Sequence, residues 1–209
     1  SSTYHINKVD WVDPTHSISY TPNLATWNNT STTVNITCSD SLSGCNMYNI
    51  PWWTRVWNTY SQTFLLNTSG NIELRDNSSW YNSKIVNYNV TNIEKNDPTV
   101  DIDFGPYTSP NWTNSSSVNA SVICNDTVAP ISWCKASTYQ IREETGPFTC
   151  NSLWGTRWWA TKNINTLLGT NKILYICARA QDNAWNFGYS SVYPVMIDRL
   201  TPSYWDINS

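Results

Sequence analysis

The chain has 209 residues, of which 12 are basic and 15 acidic, so its net charge is −3. No basic surface is therefore expected to hold a nucleic acid or an anionic membrane. Its two histidines, His5 and His16, both precede residue 17, which argues against histidine-based catalysis elsewhere in the chain. No apolar run reaches the roughly 18–20 residues that cross a bilayer, so no membrane insertion is expected within this segment.

Short alternating segments separated by turn residues predict an almost wholly β structure. Turn signals recur about every ten residues, which is typical of a β-sandwich. The stretch 158–168 is the one place where a helical turn is predicted. The predicted strands are 34–38, 63–66, 72–75, 84–90, 99–104, 118–124, 137–142, 173–180 and 190–197.

An internal repeat organises the chain. Each copy has a strand start at a tryptophan, Trp27 or Trp112, followed by a strand ending in cysteine, a second cysteine and an Asp-Asn turn. A charged pair and a proline then form the linker to the next copy. The repeat predicts one sandwich over residues 9–93 and a second over 94–198. Residues 1–8 are expected to be the tail of a preceding repeat or a leader, and residues 199–209 the start of a following repeat or a linker.

The ordered motifs resemble bacterial immunoglobulin-like repeats, of the Big and fibronectin type III kind, from extracellular surface and adhesin proteins. Four segments carry the resemblance: the Glu94-Lys95 linker with Pro98, the Trp-Thr-Asn start at Trp112, the run from Cys38 to Ser43-Gly44-Cys45, and Asp182-Asn183-Ala184 before Asn186. The resemblance implies an all-β fold of two tandem immunoglobulin-like antiparallel β-sandwiches.

The same resemblance implies a non-enzymatic module, outside the cell or on its surface, that spaces or presents a binding surface. The expected partners are neighbouring repeats of the same chain, and glycans or a cell-surface protein. No cofactor is expected, because fold alone gives no chemistry. Two carboxylate pairs, Asp101 with Asp103 and Glu143 with Glu144, are interpreted as solvated charge rather than as catalytic acids.

Six cysteines without histidine partners predict disulfides rather than a zinc site, and hence an oxidising compartment. Fifteen pairings are possible. The internal repeat selects Cys38–Cys45 and Cys124–Cys134, one in each copy. Cys150–Cys177 then remains as an additional bridge of the second copy.

Thirteen tryptophans stand beside only seven glycines. In the repeat, Trp133 aligns with Gly44, while Trp185 and Trp80 occupy turns that often need a positive φ. Three interpretations stay open: aromatics that pack on hairpin ends, a binding face, or glycine codons translated as tryptophan, since UGA encodes either residue under different genetic codes. Trp27 and Trp112 are interpreted as packed structural residues.

Other tryptophans cluster in loop-like stretches, where indoles can stack on sugars. They give the alternative function, a carbohydrate-binding module. The candidate stacking residues are Trp52, Trp53, Trp57, Trp154, Trp158 and Trp159.

The junction between the copies carries four side chains that could ligate calcium: Asn96, Asp97, Asp101 and Asp103. They are faintly similar to the calcium-binding linkers of cadherins. Because Ca²⁺ takes six to eight oxygens, neighbouring loops would have to converge on them. The alternative is a simple linker stiffened by Pro98. Ten Asn-x-Ser/Thr sequons would be glycan acceptors in a eukaryotic secreted protein.

Overall fold

The computed structural model describes residues 10–48, 50, 52–77, 82–151, 157–158 and 160–201, with 157 and 158 described by their backbone alone. The chain divides into two compact units, Ser1–Lys95 and Asn96–Ser209. The described residues form strands and turns, with one 3-10 turn at Ala136–Thr138. No helix in this part of the chain is long and apolar enough to cross a membrane.

The first unit consists of two antiparallel sheets. One has the order β1-β2-β5-β4 and the other the order β3-β6-β7. Lettered A to G along the chain, this is A-B-E-D against C-F-G, the strand order of a constant-type immunoglobulin domain. The strands are β1 (Thr15–Thr21), β2 (Thr32–Ser39), β3 (Cys45–Tyr48), β4 (Thr54–Val56), β5 (Thr59–Phe64), β6 (Thr68–Asp76) and β7 (Ser83–Val90).

Alternation along the strands builds the core of this unit. Val34, Ile36 and Cys38 of β2 are buried, while the residues between them are half-buried. Ile72 and Leu74 of β6 belong to the same buried cluster. Each fully buried side chain of this size contributes about 1.5–3 kcal/mol through removal of apolar surface from water. The period of two therefore sets which face of each strand points inward.

The second unit also has two sheets, in the orders β13-β10-β8 and β12-β11-β14-β16-β9, with β15 paired to β14. When β8, β10, β11, β12, β13, β14 and β16 are lettered A, B, C, C′, E, F and G, the order is E-B-A against C′-C-F-G. The short strand β9 pairs with β16 in parallel. The strands are β8 (Thr99–Asp103), β9 (Trp112–Thr113), β10 (Ser117–Asn125), β11 (Gln140–Glu144), β12 (Arg157–Trp158), β13 (Thr161–Asn165), β14 (Asn171–Gln181), β15 (Phe187–Tyr189) and β16 (Tyr193–Asp198).

The core of the second unit follows the same rule. Val100 and Ile102 of β8 are buried, whereas Asp101 and Asp103 face solvent. The centre of the opposite sheet is β14, where Ile176, Cys177 and Ala178 are fully buried. The chain is therefore an all-β protein whose units have immunoglobulin-like strand order, as the sequence predicts.

The predicted strands 137–142 and 190–197 start too early, because β11 begins at Gln140 and β16 at Tyr193. Two further details of the predicted elements are wrong. The stretch 158–168 contains β13 rather than a helical turn, and its Ile164 is buried in the core. The predicted strand 63–66 is displaced along the chain. The observed strand, β5, starts at Thr59 and ends at Phe64, and Leu65 and Leu66 beyond it are exposed. In both places tertiary pairing, rather than local apolar content, decides where the strand lies.

Candidate functional site

The repeated polar motifs meet at one end of each sandwich, which we call the motif end. There the loop between strands B and C (β2–β3 in the first unit, β10–β11 in the second) adjoins the turn after strand F (β6 or β14). In the second unit a bridge between Cys134 and Asp182 joins these two segments. In the first unit Asn77 of the turn donates its backbone N–H to the carbonyl of Gly44 in the loop, at 3.2 Å.

Asp126 closes the loop of the second unit. Its Oδ2 accepts the backbone N–H groups of Ser132, at 3.0 Å, and Trp133, at 2.7 Å. Asp126 and Ser132 are both buried. A buried carboxylate is tolerated when such donors surround it, and the loop amides gain an acceptor that water does not supply.

The turn after β14 is held in a similar way. Asp182 accepts the backbone N–H of Asn186 at 2.9 Å and its side-chain amide at 2.8 Å. Asn183 donates its side-chain amide to the carbonyls of Ser132, at 2.8 Å, and Trp133, at 3.1 Å. The polar residues of the motif thus join two loops of the fold.

The first unit repeats this arrangement. Asp40 Oδ1 accepts the N–H groups of Leu42 and Ser43, each at 2.9 Å. Asn82 donates its side-chain amide to Asp76 Oδ2 at 2.7 Å, as Asn186 does to Asp182. Asn82 is a structural residue that the sequence comparison missed, because it lies six positions after Asp76 whereas Asn186 lies four after Asp182.

Asp126→Ala is expected to lower the free energy of unfolding of the second unit by about 2 kcal/mol, because two loop amides lose a charged acceptor. Asp126→Asn is the matched control, since its carbonyl oxygen can still accept a hydrogen bond. Urea unfolding measured by circular dichroism gives both values. Equal stability of Asp126→Ala and the unmodified chain would contradict the role assigned to this carboxylate.

The hydrogen bond from the Ser43 N–H, with further backbone donors, lowers the pKa of Asp40 below its ordinary value of 3.8. A group whose pKa is lower in the folded state stabilises that state above its unfolded pKa, and this contribution is lost as the pH falls through the folded value. We expect acidification below about pH 4 to destabilise the first unit more in the unmodified chain than in Asp40→Asn. Thermal unfolding between pH 2 and 6 measures the difference, and parallel curves would contradict it.

All six cysteines form disulfides, in the pairs that the repeat selects. Cys38–Cys45 and Cys124–Cys134 lie at the two motif ends, with Cα atoms 5.9 and 6.1 Å apart. Cys150–Cys177 has a Cα separation of 6.1 Å and anchors the segment after β11 to the buried centre of β14.

The structure separates the tryptophans proposed for sugar stacking. Trp53 packs edge-on against Phe64 and Tyr88 in the first core, with ring centroids 6.2 and 5.6 Å away. Trp52 and Trp57 are 82% and 89% exposed and flank the three-residue strand β4. The three residues of β4 and Trp53 separate them along the chain.

The remaining tryptophan interpretations have different outcomes. Trp154 and Trp159 lie outside the described residues, as does Trp80, and only the backbone of Trp158 is described, in β12. Trp27 is half-buried. Trp112 is exposed, so its interpretation as a packed residue is wrong: β9 is a two-residue strand at the sheet edge.

Two of the calcium candidates, Asp101 and Asp103, accept hydrogen bonds from neighbouring groups of the protein. Asp101 accepts the hydroxyl of Tyr193 at 2.6 Å, and this bond together with burial raises the pKa of Tyr193. Asp103 accepts the N–H of Gly105 at 2.7 Å. Within the described chain, Asp97, Asp101 and Asp103 belong to no group of three carboxylate, imidazole or thiol ligands close enough for one ion. Calcium binding that also involves Asn96 stays a prediction.

The strand orders place both units in the immunoglobulin-like class of β-sandwiches. No protein-family model matches the chain, and no curated protein matches it. Among solved structures, the chain is similar to fibronectin(III)-like modules of Clostridium thermocellum CbhA. The identity is 13%, the match covers 88% of this chain and 94% of that chain, and the TM-score is 0.31. The fold class rests on the strand orders, since a likeness of this extent does not establish it.

Proposed function

We propose that this chain is a non-enzymatic module of an extracellular or cell-surface protein, in which immunoglobulin-like sandwiches space or present a binding surface away from the cell. One observation carries the proposal: the repeated polar residues bind groups of their own sandwich at both motif ends. Asp126, Asp182 and Asn183 each bind backbone or side-chain groups of the same sandwich. These residues recur in the chain because they stabilise the fold, and no catalytic role is needed to account for them.

The carboxylate pairs support a non-catalytic role. Glu143 forms an ion pair with Lys162 at 3.3 Å, and Glu144 forms one with Arg142 at 2.8 Å. Asp101 is bound by Tyr193. General acid–base catalysis by two carboxylates needs both groups to face one cleft in different environments. These carboxylates instead bind side chains on strands of the same sandwich.

Three disulfides support an oxidising location. Structural disulfides persist in secreted and surface proteins and are rare in the cytosol. In a polar chain with 13% charged residues they add stability to each sandwich. A module that must stay folded outside the cell benefits from both properties.

The proposal is tested on intact source cells and on the purified chain. A membrane-impermeant amine reagent should label this chain on intact cells as strongly as after lysis, with a cytosolic protein as the control. The purified chain should turn over none of a panel of glycoside, ester and peptide substrates. Labelling only after lysis, or turnover that persists through repurification, would contradict the proposal.

A second candidate function, glycan binding, is favoured by Trp52, because its indole is exposed beside the exposed strand β4. Titration of tryptophan fluorescence with β-linked oligosaccharides tests it. Trp52→Ala should abolish a saturable signal, whereas Trp11→Ala, at an indole of equal exposure, 81% against 82%, should retain it. If no oligosaccharide gives a saturable change in tryptophan fluorescence, glycan binding is excluded for the oligosaccharides tested.

A further inference from the structure

Three tryptophans have a backbone conformation that bulky residues avoid. Among the described residues, the non-glycine positions with positive φ are Asn92 at 64°, Trp57 at 57°, Trp133 at 67° and Trp185 at 75°. Asparagine enters this region because its short side chain can bond locally, whereas for a bulky residue it is an outlier. Glycine is the default residue there, because it has no Cβ.

The two units give a direct comparison at one of these positions. Gly44 has φ of 76° and accepts the backbone N–H of Asn77 at 3.2 Å. Trp133 has φ of 67° and accepts the backbone N–H of Asn183 at 3.0 Å. Each residue directly precedes the second cysteine of its disulfide. The same backbone position is thus occupied by glycine in one copy and by tryptophan in the other.

The hairpin between β4 and β5 requires glycine for another reason. Val56 pairs with Thr59, so Trp57 and Asn58 form a two-residue turn. Trp57 has a positive φ, and Asn58 does not. This combination is that of a type II′ turn, whose first central position is taken by glycine.

The three indoles are more exposed than buried, so burial of apolar surface offsets little of this strain. Trp57, Trp133 and Trp185 are 89%, 68% and 59% exposed. The ammonium of Lys135 lies 4.7 Å from the ring of Trp185, an exposed cation–π contact of about 0.5–1 kcal/mol. At position 133 the backbone is held by Asp126 and Asn183, so the surrounding loop fixes a conformation that glycine adopts without strain.

We propose that the natural chain carries glycine at positions 57, 133 and 185, each encoded by a UGA codon that one genetic code reads as tryptophan and another as glycine. The composition agrees with this assignment. Seven glycines in 209 residues is about half the usual share of roughly 7%. The substitution relieves three strained turns and removes three exposed indoles at once.

The assignment changes which surfaces can bind a ligand. Trp57 leaves the set of stacking candidates, and the exposed indoles at the motif end of the second unit disappear. Of the described candidate side chains, Trp52 remains exposed while Trp53 is packed. The assignment does not depend on the spacer function and can fail without affecting it.

Peptide mass spectrometry of the protein isolated from its source cells decides the assignment. Tryptic cleavage after Arg55 and Arg179 gives peptides that contain positions 57 and 185, and the peptide ending at Lys135 contains position 133. Fragment spectra should show a glycine residue mass at all three positions. A tryptophan mass at these positions would overturn the proposal.

Recombinant variants test its physical basis separately. Trp57→Gly, Trp133→Gly and Trp185→Gly should each raise the ratio of folded to unfolded chain about five-fold, because relief of the left-handed conformation exceeds the backbone entropy lost by glycine. Trp52→Gly is the matched control: its indole is also exposed, at 82%, but its φ is not positive, so the ratio should fall. A decrease in all four variants would contradict the argument from backbone strain.

Discussion

Replacing Cys150 and Cys177 together with alanine is expected to lower the free energy of unfolding of the second unit by about 3.5 kcal/mol. The bridge closes a loop with a sequence separation of 27, and this value follows from the entropy that such a loop removes from the unfolded chain. Both cysteines are buried, so lost packing adds to the effect. Guanidinium unfolding of the intact chain measures the change.

The matched control is the double replacement of Cys124 and Cys134 in the same unit. Its sequence separation of 10 corresponds to about 2.7 kcal/mol on the same relation. Both positions are half-buried, so less packing is lost than at Cys150 and Cys177. A larger effect at Cys124 and Cys134 would show that loop length and burial do not set the contribution of these bridges.

Gly188→Ala is expected to destabilise the second unit by about 3 kcal/mol, the upper part of the usual range for overpacking. Gly188 is buried in β15 opposite Ala180. A Cβ there would overlap the carbonyl oxygen of Pro98 and lie 2.7 Å from a methyl group of Val100. The backbone at Pro98 cannot rotate away as a flexible side chain could, so β15 or β8 must shift.

Gly146→Ala serves as the control, because a Cβ at that position meets no atom within 4 Å. Its stability should stay within about 0.5 kcal/mol of the unmodified chain, as for most surface substitutions. Thermal unfolding of both variants compares them directly. Equal melting temperatures for Gly188→Ala and Gly146→Ala would mean that β15 does not pack on the start of β8 as described.

Strands with strong alternation were predictable from the sequence, because their burial is determined by a local pattern. In β8, and in β2 from Val34 onward, every second residue is apolar, and those residues are buried. By contrast, β1 and β4 were missed. They carry mostly polar, exposed side chains at sheet edges, and they are strands because neighbouring strands supply their hydrogen bonds.

The motif ends were predictable in part. The repeat identified Asp182, in the Asp-Asn turn, and the position shared by Gly44 and Trp133, directly before the second cysteine of each copy. It did not identify Asn82, whose turn is longer, although the structure gives it the same bond as Asn186. The comparison therefore finds a residue that lies beside a cysteine or in the Asp-Asn pair of the motif, and it misses a residue whose distance from these landmarks differs between the copies.

The side-chain environment of the tryptophans was the least predictable feature. Trp52 and Trp53 are adjacent in sequence, yet one is exposed and the other packs against Phe64 and Tyr88. Composition alone suggests a binding face. The backbone angles instead indicate that Trp57, Trp133 and Trp185 occupy glycine positions. Exposure of an indole is thus weak evidence for ligand binding in this chain.

Pulling the intact chain by its two ends in a single-molecule force experiment tests most directly whether it is a structural array of self-contained sandwiches. Two separate unfolding events are expected, one for each core. Reduction should lengthen the extension released by the second unit by about 115 Å, because its two bridges, Cys124–Cys134 and Cys150–Cys177, withhold segments with separations of 10 and 27. A single event, or extension without resistance under oxidising conditions, would contradict the proposed structural role.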